Sequence, residues 1–187
     1  WIRANGTNST INTNIVNTTF ANNIDTGSQA ALTNKGTLSL AKTSGTHNAT
    51  ISNSIFFNNT ETSGATSLAV TQGHVTAADL VLVNNSIDEN NFSNLSFLTN
   101  TSDLDPMFVD VANNNYRIQA VSPAKDAGDN TKIPTGIATD LFFNPRITDT
   151  TVDMGAYEYC TNCKDISTLV VNVQGNGSVS TSGGTFS

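Results

Sequence analysis

Few side chains in this sequence could carry acid–base or nucleophilic chemistry. There are two histidines, two cysteines and fifteen carboxylates. Asp103 and Asp105, in "DLD", are two residues apart, so a strand would place both on one face, where a general acid and base could sit. Pro106 follows directly, and such a pair more often serves a turn. His74 lies in "QGHVT", and His47, in the polar stretch "SGTHN", reads as a plain surface histidine. There is no G-x-S-x-G, no H-E-x-x-H and no phosphate loop. Cys160 and Cys163 form a lone C-x-x-C, which has three readings. A local disulfide suits an exported chain. Zinc would need two more ligands, and both histidines lie far back. A redox motif would need a βαβ setting, which is missing.

The carboxylates gather in the second half: Asp103, Asp105, Asp110, Asp126, Asp129, Asp140, Asp153 and Glu158, with Arg117 and Arg146 among them. One reading is a Ca²⁺ or sugar site with Asp103, Asp105, Asp126 and Asp129 as candidate ligands, and structural Ca²⁺ is the one cofactor the sequence admits. The other is aspartates capping turns, with an arginine–carboxylate pair pinning loops. The acids are spread along the chain without calcium-loop spacing.

Whatever these residues do, strands must position them. Charged residues are only 12% of the 187, while Asn numbers 26 and Thr 28. Thr favours strands and Asn favours turns, which predicts an all-β chain. The net charge is −7, and eight Lys and Arg make no basic stripe, so nucleic acid is not a fitting partner. No apolar run reaches the roughly 20 residues of a membrane helix. The opening "WIRANGTNST" has no signal-peptide character, and it suggests a piece of a longer protein.

A repeat organises residues 1–100. "NTTFANN" (Asn17 to Asn23), "NSIFFNN" (Asn53 to Asn59) and "NSIDENN" (Asn85 to Asn91) share Asn, four residues, then Asn-Asn, at spacings of 36 and 32. Ile15, Ile51 and Val83 precede the leading asparagines by two residues. "TLSL" and "SLAV" alternate as half-buried strands do. The pattern predicts a parallel β-solenoid whose turns stack at the strand spacing of roughly 4.8 Å. Two structural ladders should result, Asn17/Asn53/Asn85 and Asn23/Asn59/Asn91. Phe20 and Phe56 should stack inward, with a bend near Asn53 resetting the alternation. Asp88 takes the same position on the third turn. A β-sandwich with irregular loops is the alternative.

The chain resembles right-handed parallel β-helix proteins of the pectate-lyase-like kind, whose turns read as "TISNSIFFNN" does. Residues 100–159 sharpen this. "DPMFVD", "NNYRIQ", "SPAKDAG", "TDLFFNPR" and "VDMGAYEY" resemble the end region of secreted bacterial β-helix proteins with a choice-of-anchor Q domain, common in the Bacteroidetes. Lys125 departs from a usual apolar residue, and Phe143 from a glycine. The resemblance implies turns over 1–100, a cap over 101–159, and a linker and hairpin over 160–187. "TLVVNVQGNGSVSTSGGTFS" is similar to the start of an internalin-type B repeat. The resemblance also implies a secreted or cell-surface location, with export machinery of the type IX route as a partner. "DTT" resembles a short O-glycosylation signal with Thr150 as acceptor, and ten N-x-S/T sequons are present.

The expected function is a non-catalytic adhesin, stalk or passenger segment that meets polysaccharide or surface glycans through a strand face or outward loops. The alternative is the C-terminal part of a polysaccharide lyase or glycoside hydrolase whose active site lies upstream. Ice binding would need regular T-x-T ranks, which do not recur.

Overall fold

The computed structural model describes residues 2–26, 36–61, 68–72 and 76–161. Within them the regular structure is fourteen strands and two single-turn 3₁₀ helices, with no α-helix, and residues 119–161 form no strand. The first rung holds β1 (Ile2–Ala4), β2 (Thr10–Val16), β3 (Thr19–Ala21) and β4 (Ile24–Asp25). The second holds β5 (Gly36–Lys42), β6 (Thr46–Ser52), β7 (Ile55–Phe57) and β8 (Thr60–Glu61). The third holds β9 (Leu68–Gln72), β10 (Thr76–Ala77) and β11 (Leu80–Asp88). After it come β12 (Phe97–Ser102), β13 (Phe108–Asp110) and β14 (Asn115–Ile118).

Corresponding strands pair in parallel. Ile15 faces Ile51, Ile51 faces Val83, and Val83 faces Leu98 across β2, β6, β11 and β12. Phe20 faces Phe56, and Phe56 faces Asp88, across β3, β7 and the end of β11. Strands β1, β5 and β9 pair in parallel on another face. Across β2, β6 and β11 the register repeats at the 36- and 32-residue spacings, while β1 meets β5 at 38.

The recurring asparagines have a backbone cause. Asn17, Asn53 and Asn85 sit at φ 48, 50 and 45, in the left-handed region. Asn22 and Asn58 do the same at φ 55 and 51. Asn is among the few non-glycine residues that accept this conformation. One such residue turns the strand and resets which side chains face inward.

The interior follows from that reset. Leu38, Leu40, Ala49, Ile51, Phe56, Val70, Val81 and Val83 are buried together. Phe20 and Phe56 stack with centroids 4.6 Å apart. At the Phe56 position of the third rung, Asp88 instead accepts the Phe92 backbone N–H at 2.9 Å. That folds the chain back and brings the Phe92 ring edge-on to Phe56 at 5.6 Å. Phe56→Ala should therefore cost about 4 kcal/mol in a urea titration, because both neighbouring rings lose their contact.

Residues 104–160 do not simply close an end. Ile55 on β7 and Ile87 near the end of β11 point outward, and Phe108, Ile118, Ala124 and Met154 bury them in a second core. Phe57 meets Phe108 edge-on at 5.4 Å. Residues 104–160 run as a strap along the side of the rungs. Gly155 sits at φ 94, where a Cβ would lie 2.8 Å from both Ile55 Cδ1 and Thr19 Oγ1. Its N–H donates to Asn53 O at 2.8 Å, so backbone approaches backbone here.

Candidate functional site

The strap meets every rung at its asparagine corner. Asn17 Nδ2 donates to Asp153 O at 3.1 Å. Asn53 Nδ2 donates to Asp129 O at 3.1 Å, and the Asp129 N–H returns to Asn53 Oδ1 at 2.8 Å. Asn85 Nδ2 donates to Ala127 O at 2.9 Å. Between rungs, Asn53 Nδ2 reaches Asn17 Oδ1 at 3.5 Å, at the limit of a hydrogen bond. The first asparagine set is thus chiefly a row of staples to the strap. At the second corner Asn23 Nδ2 donates to Asn59 Oδ1 at 2.8 Å, and Asn59 Nδ2 to Phe20 O at 3.0 Å. Asn91 lies in an exposed turn at φ 46. Asn22 Nδ2 donates to Tyr116 Oη at 2.9 Å, tying this corner to the strap too.

The strap is locked by buried charge. Arg146 Nε donates to Glu158 Oε1 at 3.0 Å, and its Nη2 pairs with the same oxygen. Asp153 accepts the N–H groups of Asp126 and Tyr159. Asp140 accepts the N–H groups of Phe142, Asn144 and Glu158 at 2.8–2.9 Å. Burial pushes the Glu158 carboxyl up to about 7, against the opposing pull of Arg146. Burial likewise raises Asp153 and Asp88. These acids hold backbone in place, and none is presented to solvent as a free acid–base group.

Phe143 carries the departure from glycine noted in the sequence. It sits at φ 64 with its ring 87% exposed, in the turn fixed by Asp140. A bulky residue in that region is strained. Phe143→Gly should raise stability by about 1 kcal/mol by thermal unfolding.

The four calcium candidates do not converge. Asp103 is exposed, and Asp105 Oδ1 accepts the Met107 N–H at 2.7 Å. Asp126 pairs with Lys125, which also reaches Asp149 at 3.1 Å. Asp129 Oδ1 accepts from Thr131 Oγ1 and N, which holds its carboxyl below the usual range. Among the described residues no group of three or more His, Cys, Asp or Glu could hold a metal ion. Sequence proximity in this region reflects turn chemistry.

His47 corrects the surface reading. It is fully buried on the inward side of β6. Its Nδ1 contacts Ala41 O at 2.8 Å and its Nε2 contacts Thr13 Oγ1 at 3.0 Å. Asp79 Oδ2 accepts its backbone N–H at 2.8 Å. The missed signal was parity, since His47, Ala49 and Ile51 alternate as one inward row. Cys160 is disulfide-bonded and half-buried. His74, Cys163 and the 168–187 hairpin lie outside the described residues. Thr150 is exposed, and its carbonyl accepts Asn130 Nδ2 at 3.0 Å.

The broadest uncharged strand surface among the described residues is the outward face of β2, β6, β11 and β12. Asn12, Asn48 and Leu80 form one row across the strands. Asn14, Thr50, Leu82 and Phe97 form the next. Asn48 Nδ2 donates to Asn12 Oδ1 at 3.4 Å, and Phe97 is 57% exposed. None of the outward residues among Thr10–Val16, Thr46–Ser52, Leu80–Asn84 and Phe97–Thr99 is ionisable. The face offers amides and hydroxyls at one end and an exposed ring beside leucine at the other. It holds no group that could transfer a proton.

Comparisons with protein-family models, curated proteins and solved structures give no match. Among the described residues no helix is long and apolar enough to cross a membrane.

Proposed function

We propose that this chain is a non-catalytic binding segment of a secreted or cell-surface bacterial protein, built as a right-handed parallel β-helix, and that it holds uncharged glycans. The uncharged face ending in Phe97 carries this reading. On a chain of net charge −7, a face without ionisable groups gives an anionic polymer no counter-charge. Amide and hydroxyl groups at strand spacing suit sugar hydroxyls, and an exposed ring suits the apolar face of a pyranose. The repeating register and the single left-handed residue at each corner support the β-helix. The resemblance of residues 100–159 to secreted β-helix proteins supports the location.

The test is a heteronuclear NMR titration with cellohexaose, xylohexaose, mannohexaose and laminarihexaose, with polygalacturonate as the acidic control. At least one neutral hexasaccharide should shift Asn14, Thr50 and Phe97 without being cleaved. Phe97→Ala should weaken that binding about tenfold or more, as loss of an aromatic anchor does. The reading is lost if no neutral sugar shifts the face, if polygalacturonate binds best, or if the sugar is hydrolysed.

A further inference from the structure

The strap buries more negative charge than it neutralises. Asp140, Arg146, Asp153 and Glu158 are each at most 6% exposed, which sets three carboxylates against one guanidinium. Arg146 directs both Nε and Nη2 at Oε1 of Glu158, while Oε2 accepts the Asp153 N–H at 3.2 Å. Lys125 stands at the rim, paired with Asp126 and Asp149 and lying over the Tyr159 ring. Arg117 lies across a crevice of about 230 Å³ that it shares with Glu158, engaged by Asn115 Oδ1 and the Phe142 ring. From the rungs, the groups that meet this segment are neutral: Asn17, Thr19, Asn53 and Ile55.

The same stretch of chain grips the rungs. Asn17 Nδ2 donates to Asp153 O, the Gly155 N–H to Asn53 O at 2.8 Å, and the Ala156 N–H to Thr19 Oγ1 at 3.0 Å. Arg146 holds the carbonyls of Gly155 and Ala156 from the other side, at 3.3 and 3.4 Å. Charge and grip thus coincide in residues 153–158. The strap's contacts with the rungs are single bonds, whereas the rungs share continuous ladders and a core of their own. Asp126 and Phe143 add left-handed backbone to the strap, at φ 54 and 64. A segment held this way opens before one held by ladders.

We propose that Glu158 makes the strap a proton-operated clasp: when its carboxyl ionises, residues 138–159 lift from Asn17, Thr19 and Asn53 while the rungs stay paired. The ionised cluster leaves surplus negative charge in a buried site, and water solvates it in the open form. Opening uncovers Ile55, against which Gly155 is packed. A fall of overall stability with pH does not locate the opening, whereas the coincidence of charge and grip does. The clasp does not depend on glycan binding.

Hydrogen exchange on the intact chain from pH 5 to 8, corrected for the base-catalysed rate of each amide, tests it. The Gly155 and Ala156 amides should open up to tenfold more often per pH unit, levelling off above about pH 7, where the Glu158 carboxyl titrates. At every pH they should open at least tenfold more often than Ile51 and Val83. Glu158→Gln keeps an oxygen for Arg146 and should hold these amides at their pH 5 level throughout. The proposal is overturned if all four amides open equally, which is unfolding of the whole chain. It is also overturned if Gly155 and Ala156 show no pH dependence, or if Glu158→Gln retains it. The wild-type measurement decides even where the variant does not fold.

Discussion

Asn53→Ala is expected to destabilise the fold by about 4 kcal/mol and to loosen the strap before the rungs. The side chain is fully buried at φ 50. It carries a two-way bond to Asp129, and its own carbonyl accepts the Gly155 N–H. Truncation leaves the Asp129 N–H and C=O without their partner, at about 1–3 kcal/mol each. Alanine in the left-handed region adds roughly 1–2 kcal/mol. Asn53→Gly separates the two causes. It should cost about 1 kcal/mol less than alanine, because glycine accepts the same φ freely. Urea unfolding measures the totals. Hydrogen exchange tells where the opening occurs, with the amides of Asp129 and Gly155 accelerating before those of Ile51 and Val83. Equal losses for both variants would mean that the bend carries no strain.

The second large effect is a pH dependence centred on Glu158. Its folded pKa, about 7, lies above its ordinary 4.5. A raised carboxyl contributes stability that is fully present below the unfolded value and is lost as pH rises through the folded one. Asp153 and Asp88, also raised, act in the same direction. Asp79 and Asp129 are lowered and contribute only above the ordinary carboxylate range, so their effect is lost in acid. Stability should therefore peak near pH 5 and fall by roughly 2–3 kcal/mol on going to pH 8. Glu158→Gln should flatten most of that slope. Arg146→Met should steepen it, costing about 3–5 kcal/mol at pH 8, where a buried carboxylate is left unpaired, and less at pH 5. Thermal unfolding across pH 4.5–8.5 measures all three. A wild-type curve that rises from pH 5 to 8 would mean that the Arg146 pair outweighs burial.

The parallel strands were legible in the sequence because one physical demand repeats. A single-residue corner needs a left-handed backbone, Asn tolerates it, and so Asn17, Asn53 and Asn85 mark the register. The Phe20–Phe56 stack and the substitution by Asp88 followed from that alignment. The strap did not. Its bonds join residues 42, 76 and 136 positions apart, and no periodicity encodes such pairs. The acids were visible as a group, but their roles were not. Asp105 and Asp129 serve their own turns, while Asp140, Asp153 and Glu158 are buried around Arg146. His47 misled because its neighbours are polar, although its even spacing from Ile51 places it inward. The uncharged face was foreseeable only as "a strand face". Its rows depend on how four strands align, and β12 lies outside the Asn repeat.

The C-terminal region is clamped along the rungs through one asparagine from each. Side-chain amide NOEs in the intact chain test it most directly. Cross-peaks are expected from the Nδ2 protons of Asn17 to Met154, of Asn53 to Asp129 and of Asn85 to Gly128, with slowed exchange for all three amides. The contradicting result is rapid exchange of these amides, with NOEs confined to residues 2–102.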